Sequence, residues 1–241
     1  MRHAARTTTV PVVRIELRKL VDTRAGRWLF GVMVLLSIGV TASAASGDGT
    51  PDLADLLSAS AAPFLVVCPL IAVVSATQEW QDQTFLRTFT LVPQRHRVVR
   101  AKFAASVLLA VSVLGVCWSA SLALVVAMDG TWTTQGTSVV GLPLAGVAYV
   151  VQGLVFGLLL RHALLAVGVF LIGPVACSSA LAAAGLDGLG PYLNLRAGIQ
   201  PLTESLSLSG EQIWHLAVGL LVWIAVPAVL AIRRTLVSDL D

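Results

Sequence analysis

Six apolar runs fill most of this 241-residue chain, at roughly 28–46, 53–76, 101–128, 140–160, 163–185 and 213–232. An apolar stretch of about 20 residues is long enough to cross a bilayer as a helix. Polar links separate the runs: Gly47–Asp52, Glu79–Lys102, Asp129–Ser138, the Arg161–His162 pair and Leu186–Gln212. Only 12% of residues are charged while 56% are hydrophobic, against about 25% charged in a typical soluble domain. The expectation is an all-α integral membrane protein with six transmembrane helices, built as a single domain over 1–241.

The charges then orient the chain. Fifteen of the sixteen Arg/Lys residues fall in the N-terminal segment, the Glu79–Lys102 link, Arg161 and the Arg233–Arg234 pair, leaving Arg196 alone on the other side. Asp48, Asp52, Asp55, Asp129, Asp187, Glu204 and Glu211 accompany Arg196. Short links rich in Lys and Arg stay cytoplasmic, so both termini are expected inside. Because the net charge of +3 sorts by membrane side rather than into a binding stripe, the reading includes no nucleic-acid partner. The run Thr41–Ala45 has the small residues of a signal-peptidase site, but the segment before it is longer and more organised than an ordinary n-region.

Two polar segments carry the functional information. From about 10 to 27, Val13, Leu17, Leu20 and Val21 recur at helical spacing with Arg14, Arg18, Lys19 and Asp22 on the flanks. Arg18 and Asp22 stand at i,i+4, and Glu16 and Lys19 at i,i+3, pairs that add modest support in water. Pro11 suits a first helical turn. This predicts an amphipathic helix lying in the cytoplasmic interface, turning at Gly26 into the first span. The second segment, about 79–100, shows Phe85, Leu86, Phe89 and Val92 on one side, with Arg87, Thr88 and Thr90 elsewhere, then Pro93, Arg95 and Arg97. A short amphipathic helix joining two spans offers a surface for another protein.

Other features read as structural. Cys68, Cys117 and Cys177 fall inside spans without ligand spacing, as packing residues, so no metal site is expected. Gln152 either faces a path or bonds a neighbouring helix. Gly153 to Gly157 and Ala176 to Ala180 have the small-residue spacing of close helix contacts. Pro63, Pro69, Pro174 and Pro227 can kink their spans. Trp28 and Trp214 sit where interfacial anchors do. The long Leu186–Gln212 link mixes Gly, Pro and apolar residues, which predicts short or partly re-entrant helices packed on the outer face, as a gate or a passive cap.

An amphipathic N-terminal helix precedes six spans; Glu79 ends the second, Thr84 and an amphipathic turn follow, and Pro93, Arg95, Arg97 and Lys102 lead into the third. This layout resembles the membrane subunits of type-2 ATP-binding-cassette exporters. Many members carry Gly before that Thr, where this chain has Gln83. The resemblance implies a permease that exports an amphiphilic or hydrophobic substrate across a bacterial cytoplasmic membrane. It would work as a dimer, or with a sister permease, and with a separate ATPase that binds ATP and Mg. The link between spans two and three would be a coupling helix docked on that ATPase. On this reading Glu79, Thr84, Phe85, Leu86, Arg87, Phe89, Arg95 and Arg97 form the partner interface, beside an interfacial helix carrying Arg14, Glu16, Arg18 and Lys19. Membrane lipid is the remaining partner, and this chain itself holds no cofactor.

The absences fit. There is no G-x-x-x-x-G-K-[ST] loop, so ATP hydrolysis is not expected in this chain. No span has a charged residue in its middle, which disfavours ion coupling. An intramembrane enzyme would need a nucleophile with a base, and Ser178 and Ser179 have no histidine in their span. A membrane scaffold or immunity protein remains the other alternative.

Overall fold

The computed structural model describes residues 9–47, 50–81 and 95–237. Within them, six helices are long and apolar enough to cross a membrane: Arg24–Ala45, Leu53–Gln78, Arg100–Ala127, Gly141–Leu160, Ala163–Ala183 and Gly210–Arg234, here called spans 1 to 6. The chain is therefore an all-α, multi-pass membrane protein. The helices of spans 2 and 3 run on beyond the apolar stretch, as Leu53–Gln81 and Arg95–Ala127.

Spans 2 and 4 form the centre. Buried residues make up 61% of the apolar window in each, against 17% in spans 1, 5 and 6 and 28% in span 3. Lipid tails are as apolar as leucine, so helices in a bilayer associate by close packing rather than by hydrophobic exclusion. Span 4 supplies that closeness with glycine. A Cβ on Gly153 would lie 2.5 Å from the Pro69 carbonyl oxygen, and one on Gly157 would lie 2.6 Å from the Ala76 Cβ. Phe64 fills the space over Gly146, where a Cβ would meet its ring at 2.4 Å. The Gly153–Gly157 spacing thus does what its pattern predicts. Ala176 and Ala180 of span 5 are instead exposed.

The link between helices departs from expectation at the first turn. The N-terminal helix, Thr9–Asp22, ends at Thr23, whose side chain accepts a hydrogen bond from the Gly26 N–H at 3.1 Å and caps span 1. The chain therefore turns at Thr23, and span 1 begins at Arg24 rather than near residue 28. Gly26 lies within the first turn, where a Cβ would come 2.2 Å from the Leu20 carbonyl oxygen. The missing side chain is what lets the two helices fold back so tightly.

At the far end of the bundle the two acidic links meet. Asp52 and Thr131 form a parallel bridge, the Leu53 and Ala54 N–H groups donate to the Thr131 and Thr133 carbonyls at 3.0 Å, and Thr133 donates its hydroxyl to the Asp52 carboxylate. That bond holds the Asp52 carboxyl below its usual range. The Leu186–Gln212 link folds, as expected, into short helices: a 3-10 turn Asp187–Leu189, then Gly190–Leu193 and Leu195–Glu204. The last of these packs on spans 4 and 6 through Leu195 and Ile199, both fully buried with Ala145.

This packing makes a direct prediction. Gly153→Ala should destabilise the detergent-solubilised protein by about 1–3 kcal/mol through overpacking, read as a lower midpoint in thermal size-exclusion analysis. Gly115→Ala on span 3, where a Cβ meets nothing within 4 Å, should leave that midpoint unchanged.

Candidate functional site

The N-terminal helix docks on the foot of span 3 instead of lying free. Leu20 is buried and Val13 and Leu17 pack against the main core cluster, which includes Ala105 and Ala110 of span 3. Arg14 and Arg18 point outward, and the Arg18–Asp22 pair forms at 3.2 Å between exposed groups, so it contributes little. Glu16 behaves differently. It is only 3% exposed, and one carboxylate oxygen takes the Lys19 ammonium at 2.9 Å while the other takes the Lys102 ammonium at 3.1 Å. Lys102 is 4% exposed and also donates to the Ser75 carbonyl of span 2 at 3.4 Å. The i,i+3 contact with Lys19 is as the spacing predicts, but Glu16 is a buried bridge rather than a flanking surface charge. One carboxylate thus ties the N-terminal helix to span 3, and the same lysine reaches span 2.

These two spans are the ones joined by the basic link. Thr84, Phe85, Leu86, Arg87 and Phe89 lie outside the described residues. The backbone of Glu79 belongs to the last turns of the span 2 helix, and that of Arg95 and Arg97 to the first turn of the span 3 helix. Arg95 and Arg97 therefore open a long helix. Of the site residues expected on the N-terminal helix, Glu16 and Lys19 are brought together with Lys102, whereas Arg14 and Arg18 face outward; of those on the link, only these backbone positions are described.

A second polar feature lies between spans 2, 4 and 5. Arg196, counted by sequence as the lone outer basic residue, is the second residue of the Leu195–Glu204 helix. Asn194 caps that helix by accepting from the Ala197 N–H at 3.3 Å, and the Trp223 indole N–H of span 6 holds the preceding turn through the Leu193 carbonyl at 2.7 Å. The Arg196 guanidinium lies over the Phe170 ring, 5.9 Å from its centroid. With Ala62, Leu65, Val66, Tyr149 and Phe170 it lines a cavity of about 240 Å³ between spans 2, 4 and 5. Tyr149 is roughly 12 Å along span 4 from its Gly141 end, at 1.5 Å per residue. Sequence reasoning missed the arginine because the charge arrives from a link and not from a span. The apolar flanks Leu193, Leu195 and Ile199 were the available signal.

Other polar groups resolve more simply. Gln152 is 1% exposed, and its amide nitrogen finds no hydrogen-bond partner among the described residues. Ser178 donates to the Val175 carbonyl and receives the Asn194 amide at 3.5 Å, a packing contact. At the end carrying the N-terminal helix, Arg234 donates to the Leu159 carbonyl and Arg161 donates to the Arg234 carbonyl at 3.2 Å. Each arginine caps orphan carbonyls at the end of a helix, where the macrodipole favours a cation. Arg161, with φ at 56°, also supplies the left-handed residue that ends span 4.

Removing one partner of a buried ion pair costs about 3–5 kcal/mol because the other charge is left uncompensated. Glu16→Gln should accordingly lower the thermal midpoint and release the N-terminal helix to limited proteolysis. Glu16→Gln combined with Lys102→Met should recover most of the loss. A scan against models of known protein families finds no match, and comparison with curated proteins finds no significant relative.

Proposed function

We propose that the chain is the permease subunit of an ATP-driven exporter, working with a second permease and a separate ATPase at the cytoplasmic face of a bacterial membrane. The observation that carries this reading is the Glu16–Lys102 bridge. It makes the N-terminal helix and the feet of spans 2 and 3 one unit, with buried charge at both sides of its contact. A partner pressing on the link between spans 2 and 3 then moves two spans and a surface helix together. Such a unit suits mechanical coupling better than a passive positive anchor, which needs no buried ion pair.

On this reading Phe85, Leu86 and Phe89 enter a groove of the ATPase, as an amphipathic helix does. Arg87, Arg95 and Arg97 meet acidic groups there or lipid headgroups beside it, while Glu79 and Thr84 set the elbow that leads from span 2. ATP binding closes the ATPase pair, and the spans alternate between inward and outward access. ATP and Mg belong to the partner. Two half-sized permeases give about twelve spans around a path, an analogy of layout.

The exposed apolar surface is compatible with this arrangement. Span 1 presents Val32, Leu35 and Ile38, and span 5 presents Leu164, Leu165 and Ile172. Both faces can meet lipid or a second permease. On this reading the short helices over spans 4 and 6 would act as a gate or a passive cap at the outer face.

Affinity purification of the tagged chain from its own membranes in mild detergent should recover a P-loop ATPase near one-to-one. Phe85→Asp with Phe89→Asp should reduce that recovery roughly tenfold or more, as loss of buried anchors does, with membrane insertion unchanged. Reproducible recovery of the folded chain alone would replace this reading with a scaffold or immunity protein.

A further inference from the structure

We infer that the cavity around Arg196 binds the acidic head of an anionic amphiphile, a carboxylate or a phosphate carried on an apolar tail. Three observations converge. The first is chemical: among the described residues, Arg196 has a ring contact with Phe170 and no carboxylate partner. An intramembrane charge ordinarily pairs with an opposite charge or with backbone carbonyls, and a planar guanidinium presents five donors matched to carboxylate and phosphate oxygens. An acidic ligand supplies what the protein leaves out.

The second is geometric. Arg196 does not reach the cavity on a loose chain. Its helix is fixed by buried Leu195 and Ile199 on either side of it, by the Asn194 cap and by the Trp223 bond to Leu193. A Cβ on Gly198 would lie 3.2 Å from the His215 carbonyl, and Tyr192 meets the His215 ring edge-on at 4.3 Å. The backbone that carries the guanidinium is thus fixed before any ligand arrives, which limits the ordering cost of binding.

The third is the shape and polarity of the space. About 240 Å³ falls below the usual size for a whole drug-like ligand, ~300–1,000 Å³, and suits a head with the first part of a tail. Phe170 is buried, whereas Val66 is 41% exposed and Ala62 is exposed on the same side of span 2. The tail leaves along that face, into lipid or toward a second permease. Tyr149, set edge-on to Phe170 at 6.4 Å, brings a hydroxyl to the lining beside the arginine.

Read as cargo, this ligand would define the substrate class of the proposed exporter and would rest on that reading. As a binding site it stands alone. The test uses the full chain in phosphatidylcholine nanodiscs, with native mass spectrometry counting retained molecules. The probes are laurate as a free acidic amphiphile, phosphatidylglycerol as an acidic lipid, and dodecanol as the neutral control. The wild type should retain one acidic molecule per chain and dodecanol at least tenfold more weakly. Arg196→Gln should weaken acidic binding on the order of tenfold or more, the weight of a charge-assisted bond to an anion. Arg233→Gln, at an exposed end position, should leave it unchanged.

Ala62→Phe keeps the arginine and fills the cavity, so it should cause the same loss and serves if Arg196→Gln does not fold. Retention of phosphatidylglycerol alone would assign the site to a resident lipid, and retention of laurate would assign it to a free amphiphile; both uphold the acidic ligand. Equal retention by wild type, Arg196→Gln and Ala62→Phe, or equal retention of dodecanol, would overturn it. Co-purification of the ATPase is read separately, so failure of either idea leaves the other standing.

Discussion

The close approach of spans 2 and 4 is the contact on which the rest of the molecule depends. A bilayer gives no hydrophobic reward for bringing two apolar helices together, so the reward must come from fitted atoms. Gly146, Gly153 and Gly157 remove side chains where the Phe64 ring, the Pro69 carbonyl and the Ala76 methyl need room. Everything at the two ends of the bundle is placed by this pair. The far end of span 2 meets the link that follows span 3. Its other end carries the Ser75 carbonyl that receives Lys102. Span 4 in turn seats Leu195 against Ala145 and receives Arg234 at the Leu159 carbonyl.

Among the described residues, three charged features stand at junctions between helices. Glu16 with Lys102 joins the N-terminal helix to span 3, Arg161 with Arg234 joins the ends of spans 4 and 6, and Arg196 stands between spans 2, 4 and 5. The first two satisfy groups that would otherwise be orphaned. Buried ion pairs add little net stability when compared with good apolar packing, yet they penalise wrong arrangements heavily. A single carboxylate between two ammonium groups therefore fixes where the amphipathic helix sits more than how tightly it holds. Arg196 is the exception, since its environment within the chain is apolar and aromatic.

Much of the architecture was legible from run length alone. Twenty apolar residues have few options in a long chain, and the six helices appear where the runs are. The Arg18–Asp22 contact and the tight Gly153–Gly157 face followed from helical spacing. Glu16 did not, because an i,i+3 neighbour of Lys19 looks the same on a wet face as on a dry one; only the position of Lys102, more than eighty residues away, makes it inward. Arg196 was hidden for a related reason. Counting charges by link assigns a side of the membrane, but it does not show that a short helix in the link sets its arginine against Phe170 and Tyr149. The turn at Thr23 was obscured by Gly26, which signals a bend although its role is to permit contact. Gln152 shows the limit of polarity as a clue: an amide in a span can be enclosed without its nitrogen finding a partner.

Span 6 contains a π-helical segment, Leu221–Ala225, between two α-helical stretches. Such a segment amounts to one residue inserted into the regular winding. Trp223 within it binds the Leu193 carbonyl and packs edge-on to Phe156, while Arg234 further along reaches Leu159. Each residue of an α-helix turns the chain by about 100°, so the inserted residue sets the rotational phase between these two attachments. With the insertion absent and Trp223 in place, the arginine would emerge a quarter-turn or more around the axis, away from span 4. The irregular turn is therefore a phase adjuster, which lets one helix face its neighbours correctly at both ends.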